Sequence, residues 1–138
     1  MKIRNRIRMI PIMLAMALLF SLSVSAALPP SVEIQWVNTK KVTCEVIITG
    51  NLGTVSASIT GNTGTTVQAT ATLYEIINGI STVIYTESTP TPNPLPIASF
   101  TEDFTARSGA TYYLIMNGVV SKNGVDEEIN RSDVETIP

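Results

Sequence analysis

No histidine occurs anywhere in this 138-residue chain, and cysteine occurs once, at Cys44. Each absence removes a class of chemistry. Without an imidazole, the usual serine and cysteine nucleophiles lack their general base, and most zinc sites lack a ligand. A single cysteine cannot close an internal disulfide, which excludes the framework that staples many small secreted domains. Cations are scarce beyond the N-terminus. After residue 26 only Lys40, Lys41, Arg107, Lys122 and Arg131 remain, five cations against eleven carboxylates and a net charge of −6. Such a surface repels nucleic acid, which rewards basic patches, and it disfavours anionic membrane for the same reason. Glycine-rich phosphate loops, internal repeats and helical periodicity are missing from this part of the chain as well.

What is present begins with a targeting pattern. Lys2, Arg4, Arg6 and Arg8 form a basic head, an apolar run follows from Met9 to Leu22, and Ser23-Val24-Ser25-Ala26-Ala27 supplies small residues. This is the three-part pattern of a secretory signal peptide. The apolar run is interrupted by Pro11 and is shorter than the ~20 residues a spanning helix needs, so a cleaved signal is preferred over an uncleaved anchor. The cut is expected after Ala26 or one residue later. No cysteine stands at the cut to carry a lipid, and no apolar tail precedes Pro138, so no further anchor is expected. Residues 1–26 are thus read as the signal and residues 27–138 as one domain, large enough to bury a core without metal or disulfide. The expected address is extracellular, with no membrane contact after cleavage, and the low cysteine count fits export from a Gram-positive cell.

Period-two alternation dominates this domain. Val42, Cys44, Val46 and Ile48 form one inward set; Val55, Ala57 and Ile59 form a second; Val67, Ala69, Ala71 and Leu73 form a third. The residues between them are mostly Thr and Ser, and Tyr74 follows the third set on the outward parity. Successive strand side chains point to opposite faces, so this pattern predicts half-buried antiparallel strands. Turn signals separate the runs at Asn38-Thr39, Gly50–Gly53, Gly61–Gly64, Asn78-Gly79, Arg107–Gly109 and Asn123-Gly124; Gly and Asn tolerate the positive φ of tight hairpins. The predicted strands are 32–37, 42–49, 54–60, 65–76, 82–87, 97–105, 111–121 and 125–136. Seven or eight short strands in about a hundred residues predict an all-β sandwich or barrel. Asn117-Gly118 is read as a bulge. Four prolines between Pro90 and Pro96 deny that stretch a central-strand role, leaving a stiff crossover between sheets or an edge that resists pairing.

The run Phe104 to Met116 contains Gly109, with Tyr112 three residues later and Leu114 and Met116 continuing the inward parity. It resembles the corner before the penultimate strand of immunoglobulin-like and fibronectin type III-like domains, where the Tyr packs inward and bonds its hydroxyl back to the corner. Residues 65–76, ending Ala71-Thr72-Leu73-Tyr74, resemble the central strand of the same architecture. Over residues 40–137 the plan is similar to small secreted single-domain proteins of Gram-positive Firmicutes. The resemblance implies an immunoglobulin-like antiparallel β-sandwich of seven to eight strands at an extracellular address, with structural roles for Gly109 and Tyr112 and no catalytic residue.

Candidate sites are few. Cys44 alternates inward with Val42 and Val46, which reads as an inert core thiol. Trp36 alternates with Val32 and Ile34, which reads as core. Paired carboxylates could support glycoside hydrolysis, but the neighbours in Glu102-Asp103 and Asp126-Glu127-Glu128 point to opposite faces of a strand. Asp126 and Glu128 share a face and could hold a weak calcium site with Asp133; a solvated edge is the simpler account. Phe100 and Phe104 flank Glu102 at strand spacing, so Glu102 is expected either to be buried with a partner or to mark a bulge. Tyr74 and Tyr113 fall on the outward parity of their strands, and in an immunoglobulin-like order they lie side by side. They are the candidate ligand-binding pair, a platform for sugar rings, weighed against a cross-strand pair that only stabilises the sheet. The proline-rich stretch could present an extended segment to a partner.

The reading is therefore a non-catalytic module for extracellular binding or structural contact at the cell surface, with no cofactor and no metal. Its partner is an extracellular protein or a glycan, not nucleic acid. The alternatives are a carbohydrate-binding module using Tyr74 and Tyr113, and an appendage or matrix subunit that self-associates weakly through its strand edges.

Overall fold

Alternation in the sequence becomes two antiparallel sheets. A computed structural model of the protein describes residues 36–91 and 93–138. The predicted signal segment, residues 32–35 of the first predicted strand, and Pro92 lie outside the described residues. Seven strands follow in order: β1 (Thr39–Thr49), β2 (Leu52–Gly61), β3 (Thr66–Ile77), β4 (Ile80–Ser88), β5 (Ile97–Thr105), β6 (Thr111–Lys122) and β7 (Val125–Thr136). They form a three-stranded sheet, β1-β2-β5, and a four-stranded sheet, β4-β3-β6-β7. The chain is thus all-β over its described length, with the arrangement of a β-sandwich.

The inward sets meet as expected. Val55, Ala57 and Ile59 from β2 are buried together with Val67, Ala71 and Leu73 from β3 and Leu114, Met116 and Val120 from β6. Each fully buried Val, Leu, Ile or Met side chain contributes about 1.5–3 kcal/mol. Val42, Cys44 and Ile48 of β1 pack at the rim of this core, while Ile47 points to solvent.

Hairpins are set by local chemistry. Asn78-Gly79 and Asn123-Gly124 hold positive φ at both residues, the type I′ geometry whose twist matches the strands it joins. Asn117-Gly118 forms no bulge. Both residues stay in register with Thr70 and Ala69 on one side and with Asn130 and Ile129 on the other. The glycine is there for space, because a Cβ at Gly118 would collide with the Ile59 side chain of the opposing sheet. The irregularities lie instead at Thr39/Lys41 in β1 and at Ile84, an extra residue of β4 opposite Leu73 and Tyr74.

The proline-rich stretch is the crossover from β4 to β5, and so from one sheet to the other. It runs along the part of β3 that β4 leaves uncovered. Thr89 N donates to Ala69 O, and Leu95 O accepts from Val67 N. Asn93 is buried and its amide donates to Val67 O at 2.7 Å and Ile97 O at 3.2 Å. Non-proline residues thus supply donors that the prolines cannot.

Between β5 and β6 the chain returns to the four-stranded sheet through the corner at Gly109. Tyr112 is fully buried there. Its hydroxyl accepts from Arg107 N at 2.9 Å and donates to Glu75 Oε2 at 2.8 Å. The Arg107 guanidinium lies 3.5 Å from Glu75 Oε1, and the Phe104 ring packs 4.7 Å from that of Tyr112. Burial, with the Glu75 bond behind it, pushes the phenol above its ordinary value, so it stays protonated and donating at neutral pH. Removing the hydroxyl in Tyr112→Phe leaves a buried carboxylate and a backbone N–H without their partner. That should cost about 1–3 kcal/mol and lower Tm by roughly 4 °C or more in thermal denaturation followed by circular dichroism. An unchanged Tm would mean the corner contributes nothing to stability.

Candidate functional site

The outer face of the four-stranded sheet carries the candidate pair. Tyr74 on β3 and Tyr113 on β6 are Cα partners, with ring centroids 6.4 Å apart and planes tilted by 32°. They are placed by β3 and β6 being neighbours and by both residues facing out, since Leu73 and Tyr112 face in. Val83 of β4 lies opposite Tyr74, and Val134 of β7 opposite Tyr113, so a row of apolar side chains crosses all four strands.

The surrounding rows extend this face. On one side lies Ser81–Ile76–Thr111–Thr136; on the other lie Thr86–Thr72–Ile115–Ser132 and then Ser88–Thr70–Asn117–Asn130. None of these positions carries a charge. Hydroxyl pairs join neighbours, at 3.2 Å for Thr72–Thr86, 2.7 Å for Thr70–Ser88 and 3.0 Å for Thr111–Thr136. With strands about 4.8 Å apart and a rise of about 3.4 Å per residue, the uncharged area measures roughly 20 by 14 Å.

A shallow groove of about 470 Å³ opens at its end, lined by Gln68, Thr70, Ser88, Thr91, Asn117, Glu128 and Asn130 among others. Gln68, Asn117 and Asn130 are exposed there. Each carboxamide offers two donors and an acceptor oxygen, and Glu128 brings the first charge. Nothing local in the sequence marks these amides, because their convergence depends on the β3–β6 and β6–β7 registers.

Other candidates lie elsewhere. Asp133 faces away from Asp126 and Glu128. Its Oδ2 accepts from Val46 N at 2.8 Å, whereas Asp126 accepts from Ser121 Oγ at 2.6 Å. These three carboxylates therefore do not converge, and among the described residues no group of three carboxylate or cysteine side chains could hold a metal ion. Glu102 fits neither expectation. It is exposed and in register with Val55, without a bulge. β5 is a sheet edge, so even an inward-parity side chain reaches water there. Its charge still acts on Tyr85, whose phenol burial pushes up first and the 2.5 Å bond to Glu87 pushes up further.

Trp36 stands outside any strand and is only half-buried, packed at the rim of the core with the Arg131 guanidinium 4.8 Å from its ring centroid. Beside it, Glu127 gathers the N–H groups of Val37 and Asn38, at 2.7 and 3.2 Å, and the Thr39 hydroxyl. Burial raises this carboxyl's pKa, but those donors outweigh burial and hold it below the ordinary range.

No family model matches the chain, and no curated protein does. Two solved structures resemble it in part, both of a β-glucuronidase from Parabacteroides merdae. One is 7% identical over 72% of this chain, with a TM-score of 0.46. The other, with glycerol in its active site, is 8% identical over 68%, with a TM-score of 0.44. The chain spans about 13% of that enzyme's length, and at this level the likeness says nothing about chemistry.

Cys44 is half-buried. Burial, then the nearby Asp133 charge, pushes its thiol from 9.0 up to about 11. Because the folded value is raised, the associated stability is present below the unfolded thiol's pKa and is lost as pH rises from about 9 toward 11. At pH 8 the folded thiol should alkylate about a hundredfold more slowly than in the denatured chain, as timed iodoacetamide labelling would show. Equal rates would place the thiol in free solvent.

Proposed function

We propose that this chain is an exported, non-catalytic binding module that holds a neutral saccharide on the outer face of β4-β3-β6-β7. The observation that carries the reading is the uncharged face itself. It stays free of charge across four rows although eleven carboxylates fall outside the signal segment, and a tyrosine pair sits within it. A neutral ligand loses nothing to such a face, whereas a charged one finds no counter-charge there. The apolar C–H side of a sugar ring can lie on the two phenol rings, whose edges stay amphipathic. A few placed polar groups fix orientation in ligand sites of this kind, and the hydroxyl pairs and groove amides supply them.

Export rests on the basic head, apolar run and small residues of the first 27 positions. An immunoglobulin-like, fibronectin type III-like architecture is supported by three strands, β1-β2-β5, facing four, β4-β3-β6-β7. It is supported again by the Tyr112 hydroxyl bonding back to Arg107 N, as in a tyrosine corner. The lack of histidine and the scattering of the carboxylates favour binding over catalysis.

Residues 27–138 should bind neutral glycans or isolated cell wall saturably by calorimetry or pull-down. The Tyr74→Ala, Tyr113→Ala double variant should lose about tenfold or more in affinity, at least 1.4 kcal/mol, while keeping its fold. Saturable binding untouched by the double variant would contradict the assigned face. Binding to neither class would contradict the reading itself.

A further inference from the structure

A two-sheet sandwich has four edge strands, each with a row of backbone donors and acceptors open to another chain. Three of the four are guarded here. β7 carries Asp126, Glu127, Glu128, Arg131, Asp133 and Glu135. β1 carries Lys40, Lys41 and Glu45, and Asp133 occupies the Val46 N–H. β5 places Glu102 beside Asp103 and follows Pro96 directly.

The fourth edge, β4, differs. From Ile80 to Thr86 it has no charge, no proline and no glycine. Ile80, Val83 and Ile84 are 71, 50 and 40% exposed. An exposed, uncharged, β-branched edge is the feature that natural sheets remove when they are not meant to pair. Glu87 stands beyond this run; within it, and among the described residues, the single restraint is the Ile84 bulge, which bends the strand and breaks the run. It leaves Ile80–Val83, next to the Asn78-Gly79 turn, as the regular stretch.

We propose that two copies of this chain pair antiparallel through the free edge of β4 at Ile80–Val83. The four-stranded sheets then join into one sheet of eight strands. A second copy fits this edge better than an unrelated chain for two reasons. Antiparallel pairing is self-complementary, so one strand and its two-fold mate satisfy each other's backbone groups. The chain is also acidic beyond the predicted signal segment, so two copies repel wherever both present charge; along Ile80–Thr86 neither does. The two-fold axis stands perpendicular to the joined sheet and keeps both outer faces on the same side. The dimer therefore presents two tyrosine rows on one surface, which turns weak single contacts into avidity on a polymeric ligand. Four paired residues make a short seam, so the dimer is expected to be weak and concentration-dependent.

The test is sedimentation velocity on residues 27–138 from micromolar to millimolar concentration, without any saccharide, so its outcome is independent of the ligand reading. The weight-average mass should climb from monomer toward dimer. Val83→Lys should weaken the dimer about tenfold or more, because a lysine on the paired edge brings a charge with no partner. Ile47→Lys, an exposed position on the other sheet, should leave association unchanged. Hydrogen exchange at rising concentration should protect Ile80–Val83 and leave β5 unaltered. A monomer throughout, a dimer indifferent to Val83→Lys, equal loss in Ile47→Lys, or protection at β5 instead of β4 would each overturn the proposal.

Discussion

The hydroxyl of Tyr112 sits where the chain leaves one sheet for the other. It accepts the Arg107 N–H from the corner and donates to Glu75 on β3, so it ties the β5–β6 connection to the centre of the four-stranded sheet. The consequence reaches further than stability. Side chains alternate with a period of two, and a slip of one residue would exchange the two faces of the strand. Fixing Tyr112 inward therefore fixes Tyr113 outward, and the β3 register places Tyr74 beside it. One buried hydroxyl sets both the closure of the core and the geometry of the half-buried, outward-facing aromatic pair.

Charge is distributed to match. The sandwich has no disulfide to hold it, so its open edges must avoid water-filled gaps and stray pairing by other means. Along β7, Glu127 and Asp133 turn toward the entry segment and β1 and take up the free N–H groups of Val37, Asn38 and Val46. Arg131 covers the Trp36 ring from the same strand. Glu127 and Asp133 thereby guard one side of the molecule, and the four rows around Tyr74 and Tyr113 on the outer face of β4-β3-β6-β7 are left neutral, with Glu128 and Asp126 beyond them. Uncharged rows on an acidic chain are where ligand contact and self-contact meet the least electrostatic resistance.

Much of this was legible in the sequence because it is local. Val55, Ala57 and Ile59 announce their strand by alternation, Asn78-Gly79 and Asn123-Gly124 announce their hairpins by backbone preference, and Gly109 with Tyr112 announces the corner. The outward parity of Tyr74 and Tyr113 could be counted along each strand. What was not legible depends on partners distant in the chain. Gly118 reads locally as a bulge, yet its reason is the Ile59 side chain from the opposing sheet. Glu75 lies on the inward parity of β3, and only the arrival of Tyr112 and Arg107 gives it partners. Glu102 reads either as buried or as a bulge from its phenylalanine neighbours, but it is exposed and in register because its strand is an edge. The groove amides Gln68, Asn117 and Asn130 come from three strands, and nothing in any one of them marks the convergence.

The central claim is that the neutral outer face is the ligand surface. The most direct measurement is an ¹H–¹⁵N correlation spectrum of labelled residues 27–138, titrated with soluble N-acetylglucosamine oligomers, β-glucan fragments and solubilised cell wall. The account predicts shifts that cluster at Tyr74, Tyr113, Thr72 and Ile115 and fade toward β1, β2 and β5. Shifts confined to the three-stranded sheet, or no shifts with any of these saccharides, would contradict it.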